Sequence, residues 1–130
     1  MSYLSLVGDS GALMKKIFFV VAAISWSILG YAGTCTNCSI KTLGFGPYYD
    51  NLCSSENCVF IMLEGNITGK PSCSDQGWQF VLDTTTKSGQ HTLSFLLSAH
   101  AAGRNVTISG HGVCSNWSRS ESFRYGLYAF

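Results

Sequence analysis

The residues of this chain with the most chemistry to offer are its six cysteines. Cys35-x2-Cys38-x14-Cys53-x4-Cys58 has finger-like spacing, with paired thiolates that would complete a zinc tetrahedron. Cys35-x-x-Cys38 alone has the spacing of a redox dithiol. No βαβ pattern surrounds it, however, and no helix N-terminus is at hand to stabilise a thiolate. The third reading is a set of structural disulfides. Which reading holds depends on the compartment in which the thiols mature.

An internal start answers that question. Met14-Lys15-Lys16 opens a positive segment, the thirteen residues Ile17 to Leu29 form an apolar core, and Gly30-Tyr31-Ala32 supplies a small-x-small site. This is the pattern of a secretory signal peptide over residues 14–32, cut after Ala32. Thirteen apolar residues are too few for a bilayer span, so no stable membrane insertion is expected. Residues 1–13 carry Asp9 and no base, which suits no n-region, and read as an upstream extension from a mis-assigned start. The expected product is exported, periplasmic or secreted. Its single domain covers residues 33–130, and all six cysteines lie in it. Oxidation during export competes with metal for the same thiolates, which favours disulfides and leaves no metal or other cofactor expected.

Among disulfides, Cys73–Cys114 is the favoured pair. Cys73 stands just before an expected strand and Cys114 just after another, and the bridge would close a loop of about 41 residues, worth ~4 kcal/mol in the chain-entropy model. Cys35, Cys38, Cys53 and Cys58 can pair locally or cross over, and their spacing leaves both open.

The elements that must position these residues follow from periodicity. Ser39 to Phe45 is a ragged first strand, broken at Gly44-Phe45-Gly46-Pro47. Tyr48 to Asn57 reads as a loop, and Val59-Phe60-Ile61-Met62-Leu63 as a short buried strand. Asn66 to Gly77 is a connection, and Trp78, Phe80 and Leu82 alternate with Gln79 and Val81 as a third strand. One helix follows, capped by Asp83 or by one of Thr84 to Thr86, with Leu93, Leu96, Leu97, His100 and Ala101 as its apolar stripe and Gly103 as its stop. Val106 and Ile108, then Phe123, Tyr125 and Leu127, alternate as two more strands. The order β-β-β-α-β-β is that of the oligosaccharide/oligonucleotide-binding (OB) fold, a small five-stranded barrel with its helix between strands three and four. Leu93, Leu96, Leu97 and Ala101 would plug it. An open α+β sandwich of the same order is the rival.

Several constellations fail. His91, His100 and His111 fall on separate elements, and His100 reads as a core or interface residue. Gly-x-Ser-x-Gly and phosphate-binding loops are absent. Asp83 and Glu121 read as a helix cap and a strand-flanking surface charge rather than as paired catalytic carboxylates. No enzyme is expected. The six bases and six acids beyond Ala32 balance, so nucleic acid is not an expected partner. Sequons at Asn37, Asn66, Asn105 and Asn116 read as coincidental in a bacterial-looking exported chain.

Half of the mature region resembles a group of small secreted bacterial proteins to which no function has been assigned. The shared features are Cys73, the aromatic strand Trp78 to Thr84, the Leu-rich helix Leu93 to Gly103, and Gly110-His111-Gly112-Val113-Cys114. More distantly the chain is similar to the OB-fold B subunits of subtilase-cytotoxin and pertussis-like toxins, through the helix ahead of Gly103, Val106 and Ile108. Those subunits form rings that bind host glycans, and the similarity places Ser39 where they contact sugar. The Cys35/Cys38 and Cys53/Cys58 pairs depart from that pattern.

The leading reading is a secreted non-enzymatic binding subunit, toxin B-subunit-like, for a host glycan. Tyr48, Tyr49, Trp117 and Arg119, in expected loops, would stack on sugar rings and bond hydroxyls alongside Ser39. The alternative is a periplasmic or secreted structural or protein-interaction partner, inhibitor-like, in which the loop Tyr48 to Cys58 enters a target. A homo-oligomer is expected as well. In this reading Phe123, Tyr125 and Leu127 line the barrel, and Arg124, Tyr128 and Phe130 face a neighbour.

Overall fold

The computed structural model describes residues 31–129. The start at Met14, the apolar run Ile17 to Leu29 and Phe130 lie outside the described residues.

The layout grows from β2 (Cys58–Glu64), whose residues are apolar on both faces. Val59, Ile61 and Leu63 point into the main core with Ile40, Phe80, Leu82, Leu96, Val106 and Ile108. Phe60 points the other way, into a second cluster with Cys53, Cys58 and Val81. A strand buried on both faces reads as a continuous apolar run, which is why this segment was the plainest strand in the sequence.

Around β2 the chain forms one mixed, six-stranded sheet. β1 (Thr34–Gly44) pairs antiparallel with β2, matching Ile40 to Leu63 and Leu43 to Ile61. The other edge of β1 pairs with β5 (Val106–Gly110), and its first two residues also meet β3 (Ile67–Thr68). β4 (Phe80–Asp83) lies antiparallel to β2 and parallel to β6 (Glu121–Tyr128), which in turn runs antiparallel to β5. The sheet order is β2-β4-β6-β5-β1-β3 with β1 also pairing β2, so β1, β2, β4, β5 and β6 each have neighbours on two sides.

Two helices interrupt the strands. α1 is a four-residue turn (Pro47–Asp50) inside the stretch expected to be loop, and α2 (Lys87–Ala101) is the expected helix. Thr86 caps α2, its hydroxyl accepting from the Gly89 amide at 3.0 Å. The stop is a Schellman motif, in which the Gly103 amide donates to the His100 carbonyl and the Arg104 amide to that of Ala99, with Gly103 at φ 63°.

The stripe on α2 is narrower than expected. Leu96 and Ala99 are fully buried and Leu93 packs partly on the core, but Leu97 is 45% exposed and Ala101 is exposed. The helix lies across the core on a narrow seam, so the adjacent position 97 rolls out to solvent. His100 is also exposed, with Nδ1 3.1 Å from the Ile40 carbonyl, so the ring nitrogen donates there.

Strand β6 corrects a second expectation. Its pairing slips between Ser109 and Gly110, so that Gly110 faces Phe123 while Ser109 faces Tyr125. Arg124 is the extra residue of this bulge, and one added residue inverts every side chain beyond it. Tyr125 and Leu127 therefore face outward, 46% and 47% exposed. Tyr128 turns inward against Phe95, with ring centroids 4.8 Å apart and the Arg104 guanidinium 5.4 Å from its own ring centre. The first strand also begins earlier than expected, at Thr34, and Phe45 lies beyond it with its side chain exposed.

All six cysteines are in disulfides: Cys35–Cys38, Cys53–Cys58 and Cys73–Cys114. The favoured pair is as expected, and the four others pair locally. The first bridge staples a bulge in β1 where Asn37 takes a left-handed φ of 56°, its amide donating to Thr107 Oγ1 at 3.1 Å. Glycine at Gly65 is required, because a Cβ there would run into Cys38 Sγ.

Leu96→Ala should lower the unfolding free energy by about 2–5 kcal/mol, because it empties a fully buried site. Leu97→Ala, at the outward position, should change it by less than about 0.5 kcal/mol. Urea midpoints of the oxidised protein check both.

Candidate functional site: the two-loop end of the sheet

Two loops meet at one end of the sheet because Phe60 has to be covered there. The β1–β2 loop brings Tyr49, and the β5–β6 loop brings Trp117. The centroid of the Phe60 ring is 5.2 Å from that of Tyr49, 5.1 Å from Trp117 and 5.9 Å from Trp78, mostly edge to face. Tyr48 stands edge-on to Tyr49 at 5.2 Å and remains 72% exposed.

Polar contacts fasten the loops to each other. The Ser54 amide donates to the Asn116 carbonyl at 2.8 Å, and its hydroxyl to that of Ser115 at 2.9 Å. Asn116 Nδ2 donates to Ser55 Oγ at 3.3 Å. Cys53–Cys58 closes the first loop upon itself, and the Cys58 amide donates to Asp50 Oδ1 at 3.2 Å. Ser120 Oγ donates to the Trp78 carbonyl, which draws the end of the second loop to β4.

Beside this junction lies a groove of about 410 Å³. Hydroxyls of Thr86, Ser88 and Thr92 line one wall, Ser115, Asn116 and Ser122 the other, and Asp83, His111 and Arg124 add charge or a titratable ring. The Ser122 hydroxyl accepts from the Ser115 amide at 3.1 Å and from the Asn116 amide at 3.3 Å, which fixes that wall. Asp83 Oδ1 is engaged by the Thr85 amide and hydroxyl at 2.8 and 2.6 Å, so Asp83 shapes the turn before α2 while Thr86 supplies the cap.

A second cavity, of about 250 Å³, has Glu121 in its lining together with Lys70, Gln76 and Gln79. Glu121 is 1% exposed, which corrects the expectation of a surface charge. Burial pushes its carboxyl up from the usual glutamate value. The Gly33 and Gly112 amides that donate to it, and the nearby His111, act in the opposite direction. The sequence carries no side-chain signal for this burial, because the donors are main-chain amides, one of them 88 positions away.

Of the residues expected to touch a glycan, four gather at the two-loop end. Tyr49 and Trp117 are spent on covering Phe60, Tyr48 is free at the surface, and Arg119 sits at the edge with its Nε 3.3 Å from Asp75 Oδ1. Ser39 is elsewhere, opposite Glu64 on β1, five positions before Gly44. At ~3.3 Å per residue that is about 17 Å from the aromatic cluster. Residues of the groove that the sequence did not single out include Thr86, Asn116 and Arg124. Among the described residues no group of His, Cys, Asp and Glu is placed to hold a metal ion, and no helix is long and apolar enough to cross a membrane. Comparison with protein-family models, with curated proteins and with solved structures yields no match.

Trp117→Ala should destabilise the fold by about 3 kcal/mol, because it uncovers Phe60. Tyr48→Ala should leave stability within about 0.5 kcal/mol, since its ring stands in solvent. Thermal unfolding of the two variants side by side separates the packing ring from the presented one.

Proposed function

We propose that this chain is an exported, non-enzymatic binding subunit of OB type whose ligand is a glycan. The pairing sequence β1-β2-β4-β6-β5-β1, with β4–β6 its parallel step and α2 between β4 and β5, supports a five-stranded barrel. Three disulfides suit an oxidising compartment.

The observation that carries the ligand class is an exposed ring on a loop that is fastened to one wall of a groove rich in Ser and Thr. Tyr48 offers a flat apolar face, and the loop that bears it is hydrogen-bonded to Ser115 and Asn116 on the groove wall. Sugars present apolar C–H faces and dense hydroxyls, which suit a ring and a wall of Ser, Thr, Asn, Asp and Arg respectively. The site read here therefore keeps Tyr48 from the sequence-based set and adds Asp83, Asn116 and Arg124. On a glycan array the oxidised protein should bind a restricted set of glycans. Tyr48→Ala and Arg124→Ala should each weaken the best of them at least tenfold without shifting the melting temperature. An array with no binding above background sinks the glycan reading.

A protein-docking reading rests on the same loop, which Cys53–Cys58 staples and which exposes Tyr48 and Leu52. Capture of a specific partner that Tyr48→Ala and Leu52→Ala abolish, together with a blank array, would favour it.

Assembly belongs to the same proposal, on a revised surface. Beyond Ser122, β6 has no pairing to β4 among the described residues, and it presents Tyr125 and Leu127 outward. The occupant we assign is a second copy of this chain, since the mature region carries no net charge to hold copies apart. Light scattering at micromolar concentration should find a dimer or larger species that Leu127→Lys returns to monomer. A monomeric wild type overturns the assembly.

A further inference from the structure

Glu121 is a buried carboxylate without a cation. The one ion pair among the described residues is Arg119–Asp75, and Glu121 instead receives backbone amides. Both of its oxygens converge on a single atom, the Gly33 nitrogen, at 2.9 and 3.0 Å. One N–H shared by two oxygens is a poor match for a full negative charge taken out of water.

Gly33 is also the residue that the leader pattern places first in the processed chain. We propose that removal of the leader between Ala32 and Gly33 creates an α-ammonium that seats on Glu121, a buried ion pair locking β1 to β6. The proposal rests on the export reading above. The step is hydrolysis of one peptide bond by the export peptidase. Water adds across the C–N bond, Ala32 leaves as a carboxylate, and Gly33 keeps the nitrogen as an ammonium with three N–H donors.

The nitrogen need not move to do this. The Gly33 carbonyl accepts from the Gly110 amide at 2.9 Å, and Thr34 pairs with Ser109 and Thr68. Position 33 is therefore held from its C-terminal side. The surroundings are cut to fit. A Cβ at Gly33 would lie 2.7 Å from Glu121 Oε1, and one at Gly110 would run into the carboxylate itself. At Gly112, φ is +79° and the amide donates to Oε2 at 3.2 Å. The other ionisable groups facing this site are His111, which acts on Glu121 electrostatically, and Lys70 in the cavity lining. Neither is paired with it.

An amine held by a buried carboxylate titrates above its ordinary range of about 7.7–8.0. Its folded value is raised, so the stability it contributes is present below that range and is lost as pH rises through the elevated value.

The test uses the full gene, expressed with its own leader in an exporting bacterium. Intact mass and N-terminal sequencing of the exported product should place Gly33 first. Competitive acetylation across pH, read by mass spectrometry, then follows that amine. In folded protein it should react at least tenfold more slowly than in urea-unfolded protein and should titrate at higher pH than the unfolded amine. Glu121→Gln should restore ordinary reactivity, and the unfolded wild type serves as the reference if that variant does not fold. An unprocessed product, or a first residue other than Gly33, overturns the proposal through its export premise. A Gly33 amine that reacts alike folded and unfolded overturns the ion pair while leaving export intact.

Discussion

The rest of the structure depends on the need to cover β2 on both faces. One face is met by the sheet curving round and by α2, through Leu96 and Ala99. The other belongs to Phe60, and the one regular element there to cover it is the single turn α1, which brings Tyr49. Loops do the rest, and loops are poor at it unless they are held. The Cys53–Cys58 bridge, the Ser54–Ser115 and Ser54–Asn116 hydrogen bonds and the stacked rings of Tyr49 and Trp117 are the means of holding them. The exposed surface at this end is therefore rigid as a by-product of core packing. A surface of that kind can present Tyr48 at low entropic cost.

The same economy governs the charged interior. Glu121 is surrounded by glycines because main-chain amides are the donors within reach, and only residues without a side chain let the backbone come that close. Gly33, Gly110 and Gly112 come from two distant parts of the sequence and converge on one carboxylate. That convergence ties the start of the first strand to the last strand, although β1 and β6 share no ladder.

Much of this was legible in the amino-acid order, and the failures have physical causes. Val59 to Leu63, a cap within Asp83 to Thr86 and the Gly103 stop rest on local chemistry and were read from it, while the Cys73–Cys114 bridge was read from the strand ends it flanks. Alternation in β6 misled because a bulge at Arg124 reverses the faces of Tyr125, Leu127 and Tyr128, and nothing in Phe-Arg-Tyr-Gly marks the extra residue. The helix stripe misled at Leu97, where an apolar residue lies just outside a narrow seam. Tyr49 and Trp117 looked like presented rings because a sequence does not reveal that Phe60 points outward and must be covered. Glu121 looked like a surface charge because its partners are amides, which every residue carries.

The contact between Gly33 and Glu121 spans 88 positions, nearly the whole described chain. The Gly110–Gly33 hydrogen bond that aligns β5 with β1 is similarly remote, and the parallel pairing of β4 with β6 spans about half that distance. This is a topology of high contact order, in which the entropy of closing the longest loop is met before the contacts that reward it. A chain made one end first therefore leaves β1 without β5, and Gly33 without Glu121, until nearly all of the polypeptide is available. However early the adjacent strands β1, β2 and β4 meet, the fold is completed last where it began.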